Sequence, residues 1–180
     1  NITATNVPLY DPGAATNSWR LRNAVDFDFP TNQALAAGAR LLVVGFNPTN
    51  APQLAAFRAK FGVSNSVAVL GPWSGKLDNS GATLELKQSG PPDDTLVVPF
   101  YLIDKVAYTD EAPWPAGADG VGNSLQRANA GAYGNDPANW FAAGVSAGRA
   151  SVPDAAPTVA ILSPTNGASF TAGSVTVSVS

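Results

Sequence analysis

The stretch Ser18-Trp19-Arg20-Leu21-Arg22-Asn23-Ala24-Val25-Asp26-Phe27-Asp28-Phe29 decides the fold class. Trp19 and Leu21 alternate with Arg20 and Arg22, and Phe27 and Phe29 alternate with Asp26 and Asp28. Successive side chains of a strand point to opposite faces, so this period of two predicts two half-buried strands with their aromatic residues inward. Asp26 and Asp28 then read as solvated, outward-facing carboxylates rather than as a catalytic pair.

Further along the chain, Thr83-Leu84-Glu85-Leu86-Lys87 repeats the pattern, with Leu84 and Leu86 inward and the three polar residues outward. Leu41 to Phe46 is apolar almost throughout and reads as a central strand covered on both sides. Val67 to Leu70 is another strand, and Leu96 to Tyr108 holds one long strand or two short ones, with Pro99 marking a bulge or an edge. Asn1 to Tyr10 reads as irregular or edge strand, and Asp11-Pro12-Gly13 as a turn. Between the strands lies one helix, over about residues 51–61. Asn50 is its N-cap, Pro52 sits in its first turn, Gln53 takes the capping-box position and Gly62 ends it. Leu54, Phe57 and Phe61 give it an apolar face that plugs an end or side of the sandwich, while Arg58 and Lys60 point elsewhere. From Thr109 to Ala150 the chain is loop-rich, with short strand candidates at Ser124–Arg127 and Trp140–Ala142; Trp114, Tyr133 and Trp140 are the candidate pins.

Short strands, many turns and a single helix predict an all-β sandwich over residues 1–150. Ser151 to Pro157 reads as a linker, and Thr158 to Ser180 as the first strands of a second domain, cut short.

Composition narrows the chemistry. Of 180 residues, 45% are hydrophobic and only 13% charged, against roughly 25% charged in ordinary globular domains; Gly 17 and Pro 15 favour turns. His, Cys and Met are all absent. Without His the usual general base near neutral pH is missing, and a Ser-His-Asp or Cys-His arrangement is impossible. Without His or Cys no conventional zinc, copper, haem or iron–sulfur site is available, which leaves oxygen ligands and hard cations such as calcium. Net charge is −3 and the ten Lys and Arg are scattered, so the electrostatic footprint of a nucleic-acid binder is lacking. No apolar stretch approaches the roughly 18–20 residues of a membrane span.

The candidate sites are few. The loop Asp119-Gly120-Val121-Gly122-Asn123 offers oxygens to calcium through Asp119 and Asn123, but it lacks the alternating acidic ligands of a calcium loop. The structural reading, with Asp119 capping its turn and the glycines at positive φ, is favoured. Asp93-Asp94 and Asp110-Glu111 read as solvated surface, since nothing in their spacing brings two carboxylates across a cleft. Asn1-Ile2-Thr3 is a formal glycosylation sequon.

Two strings carry a family resemblance. Trp114-Pro115, Ala118-Asp119-Gly120, Gly122 and Ser124-Leu125 resemble the "WP…ADGxGxSL" signature of bacterial lamin tail domains. Trp73, Gly75, Leu77, Asn79 and Gly81 match that family's "WxGxLxNxG" stretch, which is followed by its alternating strand at Leu84 and Leu86. Trp19-Arg20-Leu21, Phe29-Pro30, the approach to the central strand from Leu35 to Gly45, Trp140 and Gly148-Arg149 extend the likeness over roughly residues 7 to 150. Family members open with a strand carrying an acidic "EL.N" pattern, and Asn1 stands about where its Asn would be, so that first strand is expected to be missing. Pro157-Thr158-Val159-Ala160-Ile161-Leu162-Ser163-Pro164-Thr165-Asn166-Gly167 is similar to the opening of a bacterial immunoglobulin-like repeat.

The resemblance implies an immunoglobulin-like β-sandwich without a catalytic motif and without a cofactor, in a secreted or cell-surface bacterial protein. Animal relatives form the globular tail of nuclear lamins and act through protein and chromatin contacts. The first expectation is an interaction or spacer module whose partners are a protein or surface polymer and the neighbouring domains of its own chain. The alternative is a carbohydrate-binding accessory module of an extracellular hydrolase, which needs exposed coplanar Trp or Tyr rings; buried Trp would count against it. A hydrolase working through carboxylates is a third reading, which two opposed acids with one raised pKa would favour.

Overall fold

The computed structural model describes residues 1–151, 161–163 and 178–179. Its architecture is all-β, with several small sheets and one short helix, an arrangement that fits a β-sandwich. β1 (Val7–Pro8) pairs antiparallel with β6 (Ala34–Leu35), and β2 (Tyr10–Asp11) with β3 (Ala14–Ser18) around the expected Asp11-Pro12-Gly13 turn. The alternating stretch forms β4 (Arg20–Asn23) and β5 (Val25–Asp28), which pair antiparallel with Leu21 opposite Phe27. Phe29 is buried, Phe27 lies edge-on to it at 5.2 Å, and Asp26 and Asp28 face solvent beside Arg22.

β7 (Leu41–Val43) runs to α1 (Ala51–Phe61), and α1 leads back to β8 (Ala68–Leu70), which lies parallel to β7. The expected central strand over Leu41–Phe46 is therefore corrected. It is a three-residue strand in a two-stranded pair, half-buried up to the buried Val44. Parallel strands need a crossover, and α1 supplies it, so the helix is a connection rather than a plug. The Asn50 and Gly62 caps are as expected, the Gln53 N–H donating to Asn50 Oδ1 at 3.2 Å and Gly62 adopting the left-handed conformation. The capping box is not closed: the Asn50 N–H donates to Asn47 O at 3.1 Å, not to the Gln53 side chain. Phe57 packs against Phe46 and Phe61 with tilted rings, at centroid distances of 5.2 and 5.1 Å. Arg58 does not point away. Its guanidinium donates to the carbonyls of Ser64 and Val67, tying the helix to the turn that follows.

β9 (Ser74–Gly75) pairs with β5, β10 (Gly81–Ser89) pairs with β4, and β11 (Phe100–Thr109) pairs with β10. The main sheet thus has the order β11-β10-β4-β5-β9. Flanked on both sides, β10 holds Glu85 and Lys87 half-buried and ion-paired at 2.8 Å, so the polar residues of Thr83–Lys87 are not simply outward. β12 (Ser124–Arg127) and β13 (Trp140–Ala143) form a separate antiparallel pair. β14 (Ile161–Ser163) pairs with β15 (Ser178–Val179). The expected linker beyond Ser151 and the rest of the 158–180 segment lie outside the described residues.

The core centres on Leu9, Trp19 and Phe29. Leu21, Phe27 and Leu86 of the main sheet pack on it, together with Val7, Leu35, Leu41, Val43 and Leu70 of the β1/β6 and β7/β8 pairs. Truncating Trp19 to Ala is expected to cost about 3–5 kcal/mol in urea denaturation, whereas Asn50→Ala, which removes only the helix cap, costs about 1 kcal/mol.

Candidate functional site

The two motif stretches, far apart in sequence, meet. Leu77 and Asn79 from one and Pro115, Asp119 and Leu125 from the other line a small open pocket of about 140 Å³ beside Tyr108 of β11. The glycines of the first stretch are needed at strand-edge contacts. Gly75 has φ 97° and a Cβ there would lie 2.5 Å from the Ala24 carbonyl oxygen; Gly81 has φ 137° and a Cβ would lie 2.7 Å from that of Tyr108. Trp73 packs its ring over the backbone of Gly45, and its N–H donates to Val44 O.

Asp78 organises this turn, and nothing in the motif pattern singled it out. Its carboxylate accepts from Lys76 Nζ at 2.6 Å and from Ser80 N and Oγ at 3.2 and 3.0 Å, while its carbonyl accepts from the Tyr108 hydroxyl at 2.8 Å. The Lys76 ammonium, then the two Ser80 donors, hold its pKa at about 2 instead of 3.8. Burial, then the Asp78 charge, push the Tyr108 hydroxyl up.

In the second stretch Trp114 is buried and sits 6.1 Å from Trp140, whose Nε1–H donates to Gly134 O at 2.8 Å. These two rings do pin the loop-rich part. Tyr133 does not: it is 68% exposed, and its backbone carbonyl accepts from Asn139 Nδ2 at 3.4 Å. Buried amides do the rest. Gln126 Nε2 donates to Gly144 O at 2.6 Å while its Oε1 accepts from Ser146 Oγ at 2.8 Å; Asn139 bonds both the N–H and the carbonyl of Asn129 at 2.9 Å.

Asp119 and Asn123 are exposed; the Asp119 N–H closes a 3-10 turn on Ala116 O, and Asn123 Nδ2 donates to Gly117 O at 3.2 Å. Gly120 and Gly122 have φ 67° and 85°. Among the described residues no three of His, Cys, Asp and Glu cluster in a way that would hold a metal ion. The other acidic candidates stand apart. Asp93 accepts from Thr95 N, Thr95 Oγ1 and Val97 N, and the Thr95 hydroxyl leads in holding its pKa below the ordinary range. Lys87 lowers Glu85 likewise. These shifts run opposite to the direction a general acid near neutral pH requires.

None of the four tryptophans is exposed: Trp19 and Trp114 are buried, Trp73 and Trp140 half-buried. The large apolar residues that do face solvent include a row entering and starting β11: Leu96, Val97, Tyr101, Leu102 and Ile103. Leu96, at φ 63° and 84% exposed, is held out by the turn that Asp93 closes. No helix among the described residues is long and apolar enough to cross a membrane. Comparison with family models, with curated proteins and with solved structures gave no match.

Two outcomes are expected. Because the folded pKa of Asp78 is depressed, its contribution to stability is present above its unfolded value of 3.8 and is lost as pH falls toward about 2. Asp78→Asn should therefore lower the Tm near neutral pH, by a margin that shrinks across that acid window. Thermal melts in millimolar calcium and in chelator should coincide, and a rise of many degrees with calcium would assign Asp119 and Asn123 a metal.

Proposed function

We propose that this chain is a non-catalytic interaction and spacer module of a larger secreted or cell-surface bacterial protein, built as a lamin-tail-type, immunoglobulin-like sandwich. The observation that carries the functional reading is the set of solvent-facing apolar side chains Tyr101, Leu102 and Ile103 on the outermost strand of the main sheet, with Leu96 and Val97 just before it. Contiguous exposed apolar surface marks binding sites in soluble domains. The convergence of residues 73–81 and 114–125 around Tyr108 supports the family reading, since it gives both motif strings a common structural task. The carbohydrate-binding alternative rests on exposed coplanar Trp or Tyr rings; burial of Trp19 and Trp114 weighs against it, while Tyr101 and Tyr133 are exposed.

Sequencing the gene on both sides of this segment tests the proposal. A secretion leader, a surface anchor or further immunoglobulin-like repeats in the same reading frame are expected. Finding these residues inside the catalytic domain of a cytoplasmic enzyme would overturn it.

A further inference from the structure

The face of the main sheet that turns away from the core is charged. Leu21, Phe27 and Leu86 pack on the core. Their neighbours Arg20 and Arg22 of β4, Asp26 and Asp28 of β5, and Glu85 and Lys87 of β10 therefore project from the opposite face. All three acids and two of the three cations satisfy one another. Arg22 takes Asp26 and Asp28, and Lys87 takes Glu85 at 2.8 Å. Arg20 is left over, although Asp28 stands directly opposite it on β5.

Arg20 is held in place rather than loosely solvated. It reaches across β10, and its guanidinium carbon sits 3.1 Å from the centre of the Phe100 ring on β11. Its Nε is buried without an acceptor, and among the described residues it makes no ion pair. Burial, then the charge of Arg22, lower its pKa. Stacking on an aromatic ring shields one face of a guanidinium and leaves the edge of its planar fork open. A fork so held has already given up rotamer freedom, so an oxyanion meets it pre-organised. The site is also separate from the large cleft that Asn1, Ile2 and Thr3 line. That cleft opens on the core side, at Leu9, Trp19 and Leu86, and neither Arg20 nor Phe100 lines it.

We infer that Arg20, stacked on Phe100, is a carboxylate-binding site for a partner polypeptide that presents a single Asp or Glu side chain. Its terminal N–H groups donate in parallel to the two carboxylate oxygens, the geometry a guanidinium fork fits best. An evenly charged polymer, such as a polyuronate or a polyphosphate, fits poorly. Lys105, opposite Glu85, adds a fourth cation, but the next charges of such a polymer would still fall over Asp28 and Glu85. This inference rests on the interaction-module reading and names the group that the module grips. The two fail separately: flanking sequence can overturn the module while carboxylate binding stands, and carboxylate binding can fail while the module stands.

The test follows the arginine Nε–H resonances of the isotope-labelled 180-residue protein at constant ionic strength. The probe is a Gly-Glu-Gly peptide capped at both ends, with capped Gly-Gln-Gly as its uncharged match. The Glu peptide should shift the Arg20 resonance saturably, with half-saturation at about 10 mM, as a single charge-assisted contact allows. The Gln peptide should leave that resonance in place. Phe100→Leu keeps an apolar contact but removes the ring, and should weaken binding about threefold or more. Arg20→Gln should abolish the accompanying amide shifts at Leu21 and Lys87. The peptide pair on the unaltered protein decides the matter even where a variant fails to fold. Four results would overturn the inference: no saturation by the Glu peptide up to about 100 mM, an equal shift with the Gln peptide, shifts centred on another arginine, or saturation by polygalacturonate but not by the single carboxylate.

Discussion

Three backbone hydrogen bonds set the frame on which the rest of the molecule depends. The Phe29 N–H donates to Trp19 O at 3.0 Å, the Trp19 N–H to Leu9 O at 2.9 Å, and the Leu9 N–H to Gln33 O at 2.8 Å. Each lies at or just beyond a strand end, so the short elements β1 to β6 are joined into one lattice. The three residues so aligned are those buried at the centre of the core. An unpaired buried backbone group is costly, so this relay also fixes the register of the apolar side chains it carries.

A core centred on three large side chains in a chain this rich in Gly and Pro leaves much of the structure to be held otherwise. The loop-rich part relies on the Trp114–Trp140 contact and on the buried amides of Gln126 and Asn139. The turn carrying Leu77 and Asn79 relies on Asp78.

Much of this was legible in the sequence because it is local. The alternation in residues 18–29 is a direct record of strand geometry, and Asn50, Gln53 and Gly62 mark the helix by the groups its ends leave unsatisfied. Ser124–Arg127 and Trp140–Ala142 could be read in the same way, the second strand running one residue further in the structure. What was not legible depends on long-range pairing. An apolar run such as Leu41–Phe46 looks the same in a central strand and in a short parallel pair beside its crossover helix. Arg58 looks solvated until the carbonyls of Ser64 and Val67 turn back toward it. Tyr133 looked like a pin, but Asn139 and Trp140 hold the backbone around it and leave its ring out. Asp78 gains its role from Lys76, Ser80 and Tyr108 together.

Native-state hydrogen exchange, resolved by residue, tests the central relay most directly. The account predicts that the amides of Leu9, Trp19 and Phe29 exchange most slowly and open together at the free energy of global unfolding, with the amides of α1 exchanging earlier. If the α1 amides outlast those three, or if the three open independently of one another, the relay is not what holds the fold together.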